Sequence, residues 1–553
     1  MFTRSKKPRA VLSTIGAVLA LAIAGSSYSS SANAADGRTD SLTIAITGYE
    51  NNVTPLTISF GSFPLTHDLV NMIYDTLFWS TARDNPDPWL AESAEPSEDG
   101  MVWTVKLRDG VVWHDGEAFT AEDVAFTFDY YKSFKRGRYA HHVSEAPVYT
   151  RAEIVDRLTV KLYFETPVSV FRSIPGGDLP ILPEHIWASI DKPGSAKTMF
   201  PIGTGPYKMK KMVADQSYVL EANDDYFLGK PRVAQLVLNV VPNPASAFAA
   251  LRTGQVALAA GRNVPGELLS EFESLENIGV ARGSRFESLH LYINTPKAPL
   301  SDPVLRRAID MAINDQAVVD IILQGLGSIG RPSFTHPDSP WALPEGDPAA
   351  TARFDVDGAN AMLEAAGYVD SDNDGVRETP GGEPLVFEIM GSANNPQDLR
   401  TAQLVAQQVK AVGIKMSVLG LDPATVRQRR RPGKDGSPAP YDIRIGSLDS
   451  HAHADPDGLL YFFHTPGKGF GQVITGYASK AFDELIDKAS ATGDNGVRKA
   501  ILGEAQTMLA DETPIITLAY IEGIYAYRRD LYDHWVSDTG HGLFNKRSFL
   551  PDQ

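Results

Sequence analysis

The chain of 553 residues has no cysteine. Disulfides, thiolate metal ligands and a cysteine nucleophile are excluded at once, and so is a lipid anchor, which needs a cysteine at the mature N-terminus. Positive charge is scarce: 51 Lys and Arg stand against 68 Asp and Glu, a net charge of −17. A nucleic-acid partner needs a basic face to meet its phosphates, so the acidic balance argues against that class and none is expected. Beyond Ala24 no apolar run approaches the ~18–20 residues of a membrane-crossing helix. The hydrolase signatures GxSxG and HExxH are missing, which leaves a secreted hydrolase prompted by export and size alone.

What is present begins with an address. Arg4, Lys6, Lys7 and Arg9 precede the apolar stretch Ala10 to Ala24, and a Ser-rich segment leads to Ala32-Asn33-Ala34, a small-x-small cleavage site. Residues 1–34 are therefore expected to be a cleaved secretory signal peptide. Loss of its four positive charges takes the net charge from −17 to −21. An exported chain without a lipid anchor is expected in the periplasm, where an outer membrane retains it. The length exceeds one ordinary core, so two or three lobes are expected.

The most patterned stretch is Met101 to Lys132. Trp103, Val105 and Leu107 alternate with Thr104, Lys106 and Arg108, the period of a half-buried strand. Asp109-Gly110 supplies a tight turn, Val111 to Trp113 a second short strand, and Asp115-Gly116 closes it. Thr120 stands three residues before Asp123, a variant of the capping box, and Val124, Phe128 and Tyr131 follow at helical spacing. Elsewhere strands read at Ser41 to Thr47, Thr159 to Phe164, Leu236 to Val241, Leu289 to Ile293, Ile414 to Leu419 and Tyr441 to Ile445. Helices read at Leu65 to Phe78, Ala245 to Leu251, from Asp302-Pro303 onward, Ala359 to Ala366 and Ala402 to Val412. This alternation argues for an α/β fold.

The segment WTVKLRDGVVWHDGEAFTAEDVAFTFDYY resembles the signature of the family 5 extracellular solute-binding proteins, the dipeptide- and oligopeptide-binding receptors of ATP-driven importers. Trp89 to Ser93 resembles the family's P-x-LAES segment, Pro180 to Trp187 its exit from the small lobe, and Ile202 to Tyr207 (IGTGPY) its GTGPY turn. In that turn Gly203 and Gly205 are read as allowing sharp backbone angles. The markers run in the family's order from Leu42 to Trp535.

The resemblance implies a two-lobed periplasmic-binding-protein fold of type II, with an extra small domain and a hinged ligand cleft. Lobe I is expected over 36–65, 190–285 and 515–550, the small extra domain over 66–189, and lobe II over 286–514. The implied protein is a monomer and not an enzyme. It closes on a small solute, a peptide or peptide-like molecule, and delivers it to the membrane permease of an ABC importer.

In the family's peptide receptors a G-W-x-A-D-Y-x-D-P stretch provides an Asp for the peptide α-ammonium. Anchored here on Asp455-Pro456, that position falls on Ala452, and the tryptophan is absent. Asp449 serves if the loop path shifts by a few residues, with Ser447, His451 and His453 beside it. The departure keeps an oligosaccharide, opine or other polar metabolite open as the ligand. Ser62 and Phe63 fall on the first lobe's ligand-facing loop. Tyr520, with Tyr525 and Tyr527, lies on the return strand, and Trp341 offers a stacking surface; ordinary core packing is the alternative for each aromatic.

No cofactor and no metal are expected, with one exception. Asp370, Asp372, Asp374 and Gly375 match the first half of a calcium loop and Glu378 its ninth position, but Gly381 stands where the bidentate carboxylate belongs. A tight acidic turn is the other reading. His451, His453 and Asp455 are alternate candidates for zinc or nickel that lack a fourth ligand. Gly325 to Gly330 fits GxGxxG but follows a helical pattern and precedes Arg331-Pro332, so it is rejected as a dinucleotide loop.

Overall fold

The computed structural model describes residues 38–46, 53–57, 64–79, 86–133, 139, 143, 148–190, 201–213, 216–261, 263–433, 437–448, 462–465, 470–538 and 541–552. The signal-peptide segment lies outside them. Among the described residues no helix is long and apolar enough to cross a membrane.

Seventeen strands follow in chain order among these residues. They are β1 (Leu42–Ile46), β2 (Phe78–Trp79), β3 (Asp87–Pro88), β4 (Ala91–Pro96), β5 (Val102–Leu107), β6 (Tyr149–Asp156), β7 (Thr159–Phe164), β8 (Tyr207–Val213), β9 (Ser217–Ala222), β10 (Gln235–Val240), β11 (Leu258–Ala259), β12 (Ile278–Ile293), β13 (Gly327–Ile329), β14 (Val386–Ser392), β15 (Lys415–Leu421), β16 (Ile443–Leu448) and β17 (Ile515–Arg528). Eleven of them form one mixed sheet, in the order β15-β14-β16-β12-β17-β11-β1-β10-β9-β8, with β13 added to β17. Parallel pairs (β1 with β10 and β11; β14 with β15 and β16) sit at its two ends. The long antiparallel pair β12 and β17 joins them.

Near its parallel pairs each end of this sheet has apolar core on both faces, while the outermost strands β15 and β8 leave residues exposed. In the first, Ile44 and Leu258 pack into one core while Ala45 and Ile524 face another built with Phe248 and Phe272. In the second, Leu289, Leu291 and Ile389 face the helices Pro303–Met311 and Pro396–Gln408, while Tyr292 and Met390 face the helices Lys480–Ser490 and Asn495–Glu512. Asp302 caps its helix as the sequence suggests, accepting from Val304 N at 2.8 Å.

A separate antiparallel sheet, β4-β5-β7-β6, carries the patterned stretch. Trp103, Val105 and Leu107 are buried, and the helix Ala121–Ser133 lies behind them. This sheet shares its core with the first end of the large sheet: Trp103, Phe128, Tyr207 and Leu236 belong to one apolar cluster. Val111 to Trp113 does not form a strand. Two Asp-Gly turns crowd it, and it keeps a single bridge, Val112 to Ala118.

The helix read over Leu65 to Phe78 runs only Pro64–Ile73. It stops because the Ile73 carbonyl accepts from Gly205 N (2.8 Å), and Asp75 turns inward. Here the reading of Gly203 and Gly205 is corrected. Neither has a positive φ; their role is close approach. A Cβ at Gly203 would fall on the Ile73 carbonyl oxygen and within 3.1 Å of Tyr74 Cα. The buried Asp75 beside this contact accepts from Thr204 (2.9 Å), Trp89 (2.7 Å) and Tyr226 (3.1 Å), and forms an ion pair with buried Lys546. Lys546 also lies over the rings of Trp79 and Trp89, 5.1 and 5.4 Å from their centres. One charge pair thus ties three distant parts of the chain together.

The GxGxxG stretch contains β13, which adds to β17. Gly330 sits so close to β17 that a Cβ would meet the Thr517 carbonyl. Gly327 and Gly330 serve strand packing, whereas Gly325 turns the chain with a φ of 80°.

Candidate functional site

The two ends of the large sheet meet along β12 and β17. Residues 278–284 pair with 522–528, and 287–292 with 515–521. Between these ladders β12 bulges, and Phe286 adopts a left-handed φ of 55°. A bulky residue there is unusual, and bulges re-aim side chains at functional sites. Chemistry-bearing side chains gather on both sides of this junction.

On the β13–β16 side, His290 and Ser288 are buried on β12. Ser288 Oγ lies 2.6 Å from His290 Nε2 and donates to the Leu448 carbonyl (3.3 Å). That chain of contacts fixes the end of β16, where Ser447 is half-buried. Burial, aided by the Arg444 charge, pushes the His290 imidazole down to about 3, so it is neutral near pH 7. His336 is held down to about 4, mainly by burial, and packs edge-on against Phe286 and Tyr520. Tyr520 is 1% exposed, and its hydroxyl donates to the Phe334 and Thr335 carbonyls at 3.2 and 3.0 Å. It therefore positions the 333–336 segment. This cluster is aromatic and polar, uncharged at its histidines, and buried within the packed interior.

On the β1–β11 side lies a small recess, partly open to solvent, with room for about one water-sized group. Leu258, Ala260, Leu543 and Phe544 give it apolar walls, while Asp68, His541 and Tyr525 bring polar groups into it. Asp68 and His67 come from the helix Pro64–Ile73, and His541 from the C-terminal segment. His541 Nδ1 is 3.7 Å from Asp68 Oδ1, and its ring stacks on Trp79 at 4.7 Å. His67 is oriented by Asn71 at Nδ1 (3.2 Å) and Asp178 at Nε2 (3.4 Å). His67, Asp68 and His541 offer ligand atoms within 4.8 Å of one another.

Of the residues singled out in the sequence, Ser62, Phe63, Asp449, His451 and His453 lie outside the described residues. Trp341 is buried in the core beneath Asn495–Glu512, with the Arg498 guanidinium 5.0 Å from its ring and Gln506 donating to its carbonyl. Tyr525, named on the return strand, lines the recess. Asp68 and His541 were missed. A polar residue on the helix's buried face was the available signal for Asp68; His541 had none.

The acidic turn does gather Asp370, Asp372, Asp374 and Glu378 within 4.8 Å of one another. The same carboxylates accept from the turn's own N–H groups, Glu378 from Ser371 and Asp370 from Gly375. A tight turn accounts for that geometry.

Residues 85–470 match the model of the bacterial extracellular solute-binding proteins, family 5 (middle region). A nickel-binding periplasmic protein of Escherichia coli K12 is 26% identical over 468 residues, 83% of this chain and 86% of that protein. The oligopeptide-binding protein of Bacillus subtilis, solved with a nonapeptide, superposes with a TM-score of 0.75 at 23% identity, covering 93% of this chain and 99% of that one. A periplasmic oligopeptide-binding protein of Thermotoga maritima, solved with mannohexaose, superposes with a TM-score of 0.71 at 23% identity, covering 90% and 93%.

Proposed function

This chain belongs to the bacterial extracellular solute-binding proteins of family 5, and we propose that it is the periplasmic receptor of an ABC importer for a peptide or peptide-like solute. It is exported by cleavage after Ala34, works as a monomer, and hands its cargo to a membrane permease chemically unchanged. The observation that carries the reading is the bulged β12–β17 ladder, which joins the two halves of the sheet between a buried aromatic and histidine cluster on one side and the Asp68 recess on the other. A solute held between the two halves makes contacts that only a closed form offers, so it draws the hinge shut. The relatives' cargoes, as their names give them, range over nickel, peptide and mannohexaose. The mannohexaose held by the Thermotoga maritima protein supports an oligosaccharide or other polar metabolite as the second reading.

Mass spectrometry of solute released from the purified protein, followed by thermal shift with peptide and oligosaccharide pools, separates the two. A ligand at a hundred times its Kd adds about 2.7 kcal/mol to stability. The expected result is stabilisation by the peptide pool. Stabilisation by oligosaccharides alone would replace the peptide reading with the second. Turnover of any bound solute would overturn the receptor assignment.

A further inference from the structure

We infer that residues Leu323 to Gly327 form a strap that latches the two halves of the large sheet together in the closed form. The strap presupposes the hinged-receptor reading and adds to it a latch made by protein alone, off the two strands that cross between the halves. It leaves a π-helical turn, Val318–Ile322, a geometry found mostly at functional sites. Two successive residues then take left-handed angles, Gln324 with a φ of 55° and Gly325 with a φ of 80°. For a glutamine this is uncommon, and the surrounding packing has to hold it.

Contacts with both halves do so. Leu323 is buried in the core of Leu289 and Leu291. Leu326, three residues on, packs against the core of Phe248, Phe272 and Ile524 at the other end of the sheet. The Leu326 carbonyl accepts from Glu522 N (3.3 Å), in the 522–528 ladder, whereas β13 directly after it pairs with 519–521. Gly327 holds the strap flush to that second ladder: a Cβ there would lie 2.5 Å from the Tyr520 carbonyl oxygen. The tip, Gln324, reaches across to the first turn of the helix Gly266–Ser274, which has no side-chain cap. A Cβ at Gly266 would fall on Gln324 Oε1 and lie 3.3 Å from Gln324 Cβ, so the tip seats on bare glycine backbone. The Ser169–Ser490 contact across the two sides is made in the same conformation. Separation of the halves would pull Leu326 and Gln324 from their seats, so both contacts weigh towards the closed form.

Because the chain has no cysteine, a disulfide can test the seat. Gly266→Cys with Gln324→Cys removes the Oε1 conflict, and the 3.3 Å between the two Cβ positions is near the ~3.5–4.5 Å that a disulfide spans. The full mature chain, stripped of solute, is followed by small-angle scattering. The oxidised double variant is expected to keep the compact profile, and dithiothreitol to release it to the wild-type mixture of compact and extended forms. Leu326→Ala is expected to lower the compact-to-extended ratio about fivefold; should it misfold, Gln324→Ala is expected to lower the ratio in the same direction. A disulfide that does not form, an oxidised variant that opens like the reduced one, or an unchanged ratio in the single variants overturns the strap and leaves the receptor reading standing. One rigid profile for the wild type and every variant, oxidised or reduced, overturns the hinge and the strap together.

Discussion

Lys546→Met is expected to cost about 3–5 kcal/mol in the unfolding transition that exposes Trp79 and Trp89, the range for breaking one side of a buried pair. The reason is what the substitution leaves behind. Asp75 is fully buried, and without the ammonium its charge keeps only neutral donors from Thr204, Trp89 and Tyr226. Burial holds the Lys546 ammonium below its ordinary pKa while Asp75 opposes the shift, so the pair persists by mutual dependence. Asp75→Asn should cost a similar amount, and the double variant less than the two singles together, because neither charge is then stranded. Urea titration of tryptophan fluorescence reads this directly, since both indoles flank the ammonium. A loss under about 0.5 kcal/mol for Lys546→Met, the ordinary surface value, would contradict this role.

Gly203→Ala is the second large effect. Its Cβ would meet backbone: the Ile73 carbonyl oxygen, the Ile73 carbonyl carbon at 2.7 Å and Tyr74 Cα at 3.1 Å. No rotamer change can clear these atoms, so the turn must move. Overpacking costs about 1–3 kcal/mol, and this displacement also disturbs the Gly205–Ile73 hydrogen bond and the Thr204–Asp75 contact. The expected loss is therefore at the top of that range. Gly110→Ala is the matched control. Gly110 has a φ of 77° and nothing within 4 Å of an added Cβ, so it should lose only the ~1–2 kcal/mol of a left-handed residue. Comparison of the two by chemical denaturation separates close approach from backbone angle; a larger loss at Gly110 would reverse the assignment.

Much of the fold was legible because it is locally written. Alternation fixed β5 and β7, Asp302-Pro303 marked a helix start, and Gly413 ended the helical run before β15 with a φ of 70°. The crossing strand β12 was read only at Leu289 to Ile293. Its first half carries Gly279, Gly283, Ser284 and Arg282, which look like a loop until β17 pairs with them. The candidate site was less legible for the same reason. The recess joins residues near 68, 258, 525 and 541, and no local pattern brings those four stretches together. Trp341 illustrates the converse: of its two readings, a stacking surface and core packing, the structure shows the second, beneath the helix Asn495–Glu512.

Hinge closure is the central requirement of the receptor, and one contact between the two sides offers a place to measure it. Ser169, on the loop after β7, donates from its N and Oγ (3.4 and 3.1 Å) to the Ser490 carbonyl at the end of the helix Lys480–Ser490. This contact joins the two sides far from the β12–β17 junction in sequence. Because the chain has no cysteine, Thr166→Cys and Ala491→Cys would place the only two spin labels at exposed positions beside it. Pulsed electron-spin distance measurement on that pair is the most direct test. The account predicts a long-distance population without solute that gives way to a short one when the copurifying solute is added back; a single distance indifferent to every bound solute would contradict it.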